Sequence, residues 1–290
     1  GRVQKVGKPP LVFYVLTPQT QTVSITMDGL ILNASTVEYI NKNYLYITPQ
    51  GEMLYGMDGF QVWVKSIKED ARIVPLSEEY VQTHSRAEAS RSPEGWIDAT
   101  HKLSTTFSDN ALAKLFYGDF YSISKFGKTK LGNLVLYSKQ SQNRQLIDLA
   151  VEQVKPIIER IITTYGIDTI AFAPPSLPRK LQFMQEFADR LDINLPRAQL
   201  VKSYKGDIIV AQKSLSGLQE RITNARETIF LKSPLSVGTK NILLIDDAVG
   251  SGATLNETAK KLLVGNPNVS SIIGFAIVGS IKGFEVIREI

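Results

Sequence analysis

The 290-residue sequence contains no cysteine and only two histidines, and each shortage excludes a class of site. Without cysteine there are no disulfides and no thiolate ligands for zinc, which makes a cytoplasmic protein the default expectation. His84 and His101 have no cysteine to complete a zinc site, so we expect both to be surface residues. No apolar run approaches the roughly 18–20 residues of a membrane span, and the N-terminus lacks the apolar segment of a signal peptide, so we expect no membrane association.

The share of charged residues is ordinary, and basic residues slightly outnumber acidic ones. They make up 21% of the chain and give a formal net charge of +5, while 43% of the residues are hydrophobic. The hydrophobic share is sufficient for a core, and the length allows one large domain or two ordinary ones. A small positive excess fits anionic substrates, and it leaves nucleic-acid binding open without requiring it.

The most informative stretch lies near the C-terminus and has the order of a strand, a loop and a helix. Residues 242–245 form a short apolar run, which predicts a parallel strand covered on both faces. Asp246 and Asp247 follow where that strand should end, and the small residues 250–254 come next. Residues 255–263 then place apolar side chains at helical spacing.

A loop between a strand and a helix N-terminus is suited to bind an anion, because unpaired N–H groups and the helix dipole both point at it. Two carboxylates beside such a loop can accept hydrogen bonds from sugar hydroxyls or hold Mg²⁺. The spacing is neither a Walker loop nor a dinucleotide fingerprint, since Gly250 and Gly252 lack the following Gly-Lys and the third glycine. The pattern favours a sugar phosphate or Mg²⁺ as the ligand, and the alternative is that the aspartates only cap the helix.

Residues 1–75 differ from the rest of the chain and predict a small, mostly β domain. Their β-branched and aromatic runs predict strands at residues 12–16, 23–26, 44–47 and 60–64, separated by turn signals. The aromatic residues of this stretch can stack nucleic-acid bases, although such residues more often pack against one another. Dimerisation, including a homodimer, and the docking of a partner stay open as roles for this domain.

Residues 76–112 are polar and weakly patterned, which predicts a linker with a short helix around residues 78–82. From residue 113 to 290 strands and helices alternate, which predicts an α/β domain with a doubly wound parallel sheet. The predicted strands are residues 120–124, 134–137, 169–173, 199–203, 242–245 and 272–278, and the predicted long helices are residues 145–165 and 179–191. Because ligands sit beyond the carboxyl ends of such strands, we expect residues 174–180, 202–226 and 246–254 at one rim.

Residues 242–254 resemble the 5-phosphoribosyl-1-pyrophosphate (PRPP) signature of type I phosphoribosyltransferases, in which two acidic residues and a loop close to Thr-Gly-x-Thr follow an apolar strand. The loop here reads Ser251-Gly252-Ala253-Thr254. Serine replaces the first threonine of the signature, so the hydroxyl group is kept. Further residues resemble the ComF branch of that family: Gln212, Leu215, Arg221, Asn224 and Phe230, with residues 173–175, 179–180 and 183–185 upstream. Two departures are the missing cysteine-rich zinc module, whose place the β domain takes, and Met184 in place of an asparagine.

The resemblance implies a Mg²⁺-dependent site for PRPP and a small-molecule acceptor. Asp246 and Asp247 would bind the ribose hydroxyls, directly or through Mg²⁺-bound water, and Arg221 would close over the leaving group from a flexible loop, unless it is an ordinary surface arginine of a helix. The implied 5-phosphate loop consists of Ala248, Val249, Gly250, Ser251, Gly252, Ala253 and Thr254. The implied pyrophosphate-binding residues are Pro175, Ser176, Arg179 and Lys213, with Lys205 as an alternative to Lys213.

The resemblance also implies a variable hood that chooses the acceptor, here residues 117–143, where Tyr117, Phe120, Tyr121 and Tyr137 either stack a base or pack. Three functions follow from it. The first is a phosphoribosyltransferase that acts on a nucleobase or a related nitrogen acceptor. The second is a non-catalytic ComF-like factor that binds single-stranded DNA during DNA uptake or processing, and the third is a regulatory protein that senses PRPP or a nucleotide.

Overall fold

The computed structural model describes residues 3–6, 13–16, 24–27, 30–176, 179–203 and 217–281. The predicted residues Lys205, Gln212, Lys213 and Leu215 lie outside these ranges, as do parts of the predicted stretches 12–16, 23–26, 174–180 and 202–226.

The N-terminal part of the described chain combines three antiparallel strand pairs with three helices. Its elements are β1 (Val3–Val6), β2 (Phe13–Leu16), β3 (Ser24–Met27), β4 (Leu30–Asn33), α1 (Ala34–Asn43), β5 (Leu45–Ile47), β6 (Met53–Tyr55), α2 (Gly56–Ser66) and α3 (Ile73–Glu88). β1 pairs with β2, β3 with β4, and β5 with β6. The strands predicted at residues 12–16, 23–26 and 44–47 are therefore confirmed. The strand predicted at residues 60–64 is wrong, because these residues lie inside α2.

Helix α2 forms because its apolar residues follow a helical spacing rather than an alternation. Met57, Phe60 and Val64 are buried along one side of the helix. The Phe60 ring lies between 5.1 and 6.4 Å, centroid to centroid, from four aromatic rings, those of Tyr44, Trp63, Tyr80 and Phe126. Contacts of this kind stabilise a core, so the packing interpretation holds for Tyr44 and Phe60 and no face of these rings is open to a base.

His84 is buried, so the prediction of a surface residue is wrong for it. It lies in α3 with 6% of its surface exposed. Its Nδ1 is 2.9 Å from the hydroxyl of Tyr39, and its ring packs against Tyr80. Burial lowers the pKa of His84. His101 is exposed, as predicted.

The stretch predicted as a linker begins inside α3, which is longer than the short helix expected there, and it also contains an edge strand of the central sheet and a further helix. The remaining elements are β7 (Ile97–Asp98), α4 (Thr100–Thr106), β8 (Lys114–Phe120), β9 (Ser122–Ile123), β10 (Gly127–Lys128), α5 (Lys130–Ser141), α6 (Arg144–Tyr165), β11 (Thr169–Phe172), α7 (Phe183–Leu191), β12 (Arg197–Ala198), β13 (Leu200–Lys202), α8 (Leu218–Thr228), β14 (Ile229–Leu231), β15 (Asn241–Val249), α9 (Ala253–Leu263) and β16 (Ser271–Gly279). The division of the chain at residues 75 and 112 stays a prediction.

The central sheet has the strand order β12-β11-β15-β16-β8-β7, and only the edge strand β7 runs antiparallel to its neighbour. Its middle strand β15 is covered on both faces. Ile242 and Leu244 pack in one cluster with Leu255 and other residues of α9, and Leu243 packs in a second cluster with residues of α5, α6 and α7. The predicted fold class, an α/β fold with a doubly wound parallel sheet, is confirmed.

Three predicted elements of this part need correction. Residues 134–137, predicted as a strand, lie inside α5, whose N-cap Thr129 accepts a hydrogen bond from the N–H of Gly132. The strand predicted at residues 199–203 appears as β13, which pairs with β14 outside the central sheet. The helix predicted from residue 179 begins only at Phe183. The helix predicted at residues 145–165 is confirmed as α6.

The order in which the chain adds strands to the sheet reverses between β11 and β15. From β11 the chain continues through α7 to β12, and from β15 it continues through α9, on the opposite face of the sheet, to β16. The two connections leave neighbouring strands in opposite directions, so a crevice opens between their carboxyl ends. Such a reversal is where open α/β sheets bind their ligands.

A half-buried ionic cluster links α3 to β8. The Arg91 guanidinium donates to the carbonyl oxygens of Gly118 at 2.6 Å and Gly95 at 2.8 Å, and it lies 3.3 Å from a carboxylate oxygen of Asp119. Glu88 shares the same guanidinium at 2.8 Å. Burial, partly offset by the charge of Arg91, raises the pKa of Asp119 to about 6.

This raised pKa predicts a loss of stability as the pH rises from about 4 to about 6. In that window the folded state keeps a proton that the unfolded chain has released, so the free energy of unfolding falls by up to about 3 kcal/mol. Asp119→Asn should remove this slope. Urea denaturation of both proteins between pH 4 and pH 7 measures it, and parallel stability curves would show that Asp119 titrates normally.

Candidate functional site

A cavity of about 190 Å³ lies between β11 and β15, where the strand order reverses. Its walls come from the segment after β11 with the start of α7, from the end of β15 with the following loop and the first turn of α9, and from single residues of α5 and α8. Three stretches are expected at one rim. Residues 174–180 and 246–254 contribute several lining residues, and residues 202–226 contribute Arg221. The prediction that these parts of the chain meet is confirmed for the described residues.

Most of the predicted site residues line this cavity. They are Pro175, Ser176, Arg179, Arg221, Asp246, Asp247, Ala248, Val249, Gly250, Ser251, Gly252 and Thr254. Ala253 is absent from the lining, because its side chain is fully buried in the first turn of α9. Lys213 lies outside the described residues.

The two aspartates are part of β15, which continues past them to Val249. The N–H of Asp247 donates to Oδ1 of Asp246 at 2.8 Å. Burial, together with the charge of Asp247, raises the pKa of Asp246 to about 7. Because both residues lie in the strand and line the cavity, while α9 begins only after Gly252, the interpretation that they cap this helix is wrong.

The loop after the aspartates places the N-terminus of α9 at the cavity. Gly252, the N-cap of α9, has φ of 75°, a left-handed conformation that glycine adopts without strain. The Ser251 hydroxyl accepts from the N–H of Ala253 at 3.4 Å. No acidic side chain lies in the first turn of α9, so its positive dipole end is not offset there and favours an anion.

Arg221 brings a buried positive charge to the same cavity. It lies in α8 with 6% of its surface exposed, so the interpretation as an ordinary surface arginine is wrong. Burial lowers its pKa, although an arginine remains charged at neutral pH. A bond from Arg226 to the buried carboxylate of Glu257, at 2.8 Å, attaches α8 to α9. Arg221 therefore comes from an anchored helix.

The segment that carries Arg179 is attached to the end of α5. The Arg179 guanidinium donates to the carbonyl oxygen of Lys139, in the last turn of α5. The N–H of Leu181 donates to Oε1 of Gln142, the C-cap of the same helix, at 3.0 Å. A helix C-terminus offers unsatisfied carbonyl groups, which explains why a cationic side chain docks there.

The sequence interpretation assigned no role to two lysines near the aspartates. Lys139 lines the cavity, and its Nζ lies 2.9 Å from Oδ2 of Asp247. Lys202, at the end of β13, is half-buried, and its charge acts with that of Lys139 to lower the pKa of Asp246 against the larger effect of burial. Neither lysine belongs to the motif, and recognising α5 as a helix is the step that would have revealed Lys139.

The aromatic residues of the expected hood are part of the core. Tyr117, Phe120 and Tyr121 are at most 6% exposed, which leaves no ring face for a base. Tyr137 is half-buried, and its hydroxyl lies 3.5 Å from the carbonyl oxygen of Ile47. The packing interpretation is therefore the right one for the three buried rings.

Within the described residues no three histidine, aspartate or glutamate side chains are grouped to hold a metal ion. Mg²⁺ does not need such a group, because it commonly binds one or two carboxylates together with substrate phosphates and water. Asp246 and Asp247 meet this requirement, so the site fits a magnesium ion that arrives with a phosphorylated ligand.

Comparisons with known proteins gave similarity only at the level of solved structures. No protein-family model and no curated protein matched the chain. A hypoxanthine phosphoribosyltransferase from Staphylococcus aureus aligns with 51% of this chain and 70% of its own, at 16% identity and a TM-score of 0.30. A hypoxanthine phosphoribosyl transferase from Trypanosoma cruzi aligns with 51% of this chain and 69% of its own, at 16% identity and a TM-score of 0.32. At these values the similarity assigns neither a family nor an activity.

None of the helices in the described ranges has the length and apolar character needed to cross a membrane.

Proposed function

We propose that the chain binds PRPP with Mg²⁺ in this cavity and transfers the phosphoribosyl group to a nitrogen acceptor, a nucleobase or a related compound. One observation carries the proposal. Where the strand order reverses, a pair of carboxylates and a helix N-terminus line the same cavity as three cationic side chains, those of Lys139, Arg179 and Arg221. A sugar that carries a phosphate at one end and a diphosphate at the other needs this combination of groups.

Each part of PRPP has a counterpart in the cavity. Asp246 and Asp247 accept hydrogen bonds from the ribose hydroxyls, and the N–H groups at the start of α9, with the Ser251 and Thr254 hydroxyls, bind the 5-phosphate. Residues 175–179 and Arg221 bind the diphosphate. Lys213 would add a further charge from outside the described residues. Bound Mg²⁺, held by Asp246 and Asp247 directly or through water, supplies neutralisation of the diphosphate charge.

The reaction needs stabilisation of charge more than covalent participation by the protein. The bond between the anomeric carbon and the diphosphate oxygen breaks, and its electron pair leaves with the diphosphate. The acceptor nitrogen forms the new bond to the anomeric carbon, and its proton is released to the solvent. Positive charge that develops on the sugar lies near the aspartates, while Arg221 and Arg179 stabilise the negative charge on the leaving group.

A narrower form of the proposal is that the chain belongs to a ComF-like branch of this enzyme class. Its support consists of Arg221, Asn224 and Phe230 in and after α8, together with the segment after β11. A DNA-binding factor without catalysis would keep this cavity for PRPP or a nucleotide, and a PRPP sensor would use it to bind its ligand. No observation on the described residues favours either of these alternatives.

Turnover tests the proposal. The protein is incubated with PRPP, Mg²⁺ and single nucleobases, and the release of pyrophosphate is measured. We expect Mg²⁺-dependent release with at least one base. Binding of PRPP without release for any base would contradict the transfer reaction and favour the sensing function.

A further inference from the structure

Lys139 lines the cavity, and its charged group contacts a site aspartate directly. Its Nζ lies 2.9 Å from Oδ2 of Asp247, and its side chain is 24% exposed. The contact joins α5 to β15, and the two residues are 108 positions apart in the sequence. It is therefore a tertiary contact and no consequence of local sequence spacing.

The backbone of Lys139 is held in place independently of its ammonium group. Its carbonyl oxygen accepts from Arg179, and the neighbouring Gln142 accepts from the N–H of Leu181 at 3.0 Å. These bonds fix the last turn of α5 at the rim of the cavity. The long side chain of Lys139 can then move between partners while its backbone stays where it is.

We propose that Lys139 is an exchangeable counterion that neutralises Asp247 in the empty site and turns to the diphosphate of the ligand when it binds. The cavity lining holds three cations and two carboxylates. Without Lys139, neither Asp247 in the empty site nor a bound, metal-free diphosphate would have this cation beside it. Lys139 therefore neutralises part of the diphosphate charge when Mg²⁺ is absent, and this role rests on the proposed function of the cavity.

Calorimetry with inorganic pyrophosphate, once in EDTA and once in excess Mg²⁺, tests the role of Lys139. In EDTA, Lys139→Met should weaken binding about tenfold or more, the value of a charge-assisted hydrogen bond, whereas Lys139→Arg should stay within about threefold of the wild type. In Mg²⁺ the loss for Lys139→Met should shrink to about threefold or less, because the ion then neutralises the diphosphate in place of the lysine. A lysine that only positions Asp247 would show the same loss in both conditions.

Lys65→Met is the matched control. Lys65 also lies in the last turn of a helix, α2, but it is exposed and does not line the cavity. This variant changes the net charge equally and should bind pyrophosphate as the wild type does. Wild-type affinity of Lys139→Met in EDTA, or an equal loss in EDTA and Mg²⁺, overturns the inference.

Titration of PRPP in Mg²⁺ in parallel separates this inference from the proposed function. Binding of PRPP by the wild type, with no effect of Lys139→Met on pyrophosphate in EDTA, overturns the role of Lys139 alone. Binding of pyrophosphate but not of PRPP overturns the phosphoribosyl proposal, and the EDTA comparison then decides the role of Lys139. A folded wild type that binds neither compound overturns both.

Discussion

Asp246→Asn combined with Asp247→Asn is expected to lower the affinity for PRPP by at least about 100-fold. Asparagine keeps the size of each side chain but removes the charge that attracts Mg²⁺ and strengthens hydrogen bonds from the ribose hydroxyls. Hydrogen bonds to charged groups contribute about 1.5–3 kcal/mol each, so the loss of two corresponds to a factor of at least about 100. Titration calorimetry in Mg²⁺ at pH 8, where Asp246 is mostly ionised, measures the effect.

The double variant should remain folded. Burial disfavours the ionised form of Asp246, so its replacement by a neutral amide removes a penalty at alkaline pH. Thermal melting followed by circular dichroism checks this point. Asp58→Asn, at an exposed position of α2, is the matched control and should bind PRPP normally. Unchanged affinity of the folded double variant would show that the ligand does not contact these carboxylates.

Arg221→Met is expected to weaken PRPP binding by about 10–100-fold, the value of one hydrogen-bonded charge. Arg221 is buried at the cavity wall, where water screens its charge from an anionic ligand less than it would at the surface. Methionine fills a similar space without a charge. Titration of PRPP in Mg²⁺ gives the affinity, and titration of ribose 5-phosphate, which lacks the diphosphate, shows which end of the ligand Arg221 contacts.

The variant should lose much less affinity for ribose 5-phosphate than for PRPP if Arg221 binds the diphosphate. Arg86→Met, which removes an exposed arginine of α3, controls for the change in net charge. An equal loss for both ligands would place Arg221 at the 5-phosphate or make it a residue that only supports the cavity wall.

The site was predictable because its central strand has an unambiguous pattern. Residues 242–245 are apolar at every position, as a strand covered on both faces requires, and polar and small residues follow at once. The carboxyl end of a parallel strand is where such folds bind ligands, so the strand and the chemistry after it gave the location together. Asp246 and Gly252 needed no tertiary information.

Short apolar runs were ambiguous, and two of them were interpreted wrongly. Residues 60–64 and 134–137 contain β-branched or aromatic residues, which favour strands, yet each run lies inside a helix whose length shows only over a wider window. The second error had a consequence for the site. With α5 interpreted as a strand, nothing indicated that Lys139 would reach the cavity.

Contacts between distant parts of the chain account for the remaining errors. His84 is buried against Tyr39, which lies 45 positions earlier. The pairing of β13 with β14, outside the central sheet, depends on the course of the chain between them. Neither arrangement leaves a periodic signal in the sequence, because both depend on how whole elements dock.

Titration of PRPP against the wild-type protein, with and without Mg²⁺, tests the central claim most directly. The proposed site predicts saturable binding in the micromolar range with one PRPP per chain, stronger with Mg²⁺ than in EDTA. A folded sample that takes up no PRPP in either condition would contradict the assignment of this cavity to a phosphoribosyl ligand.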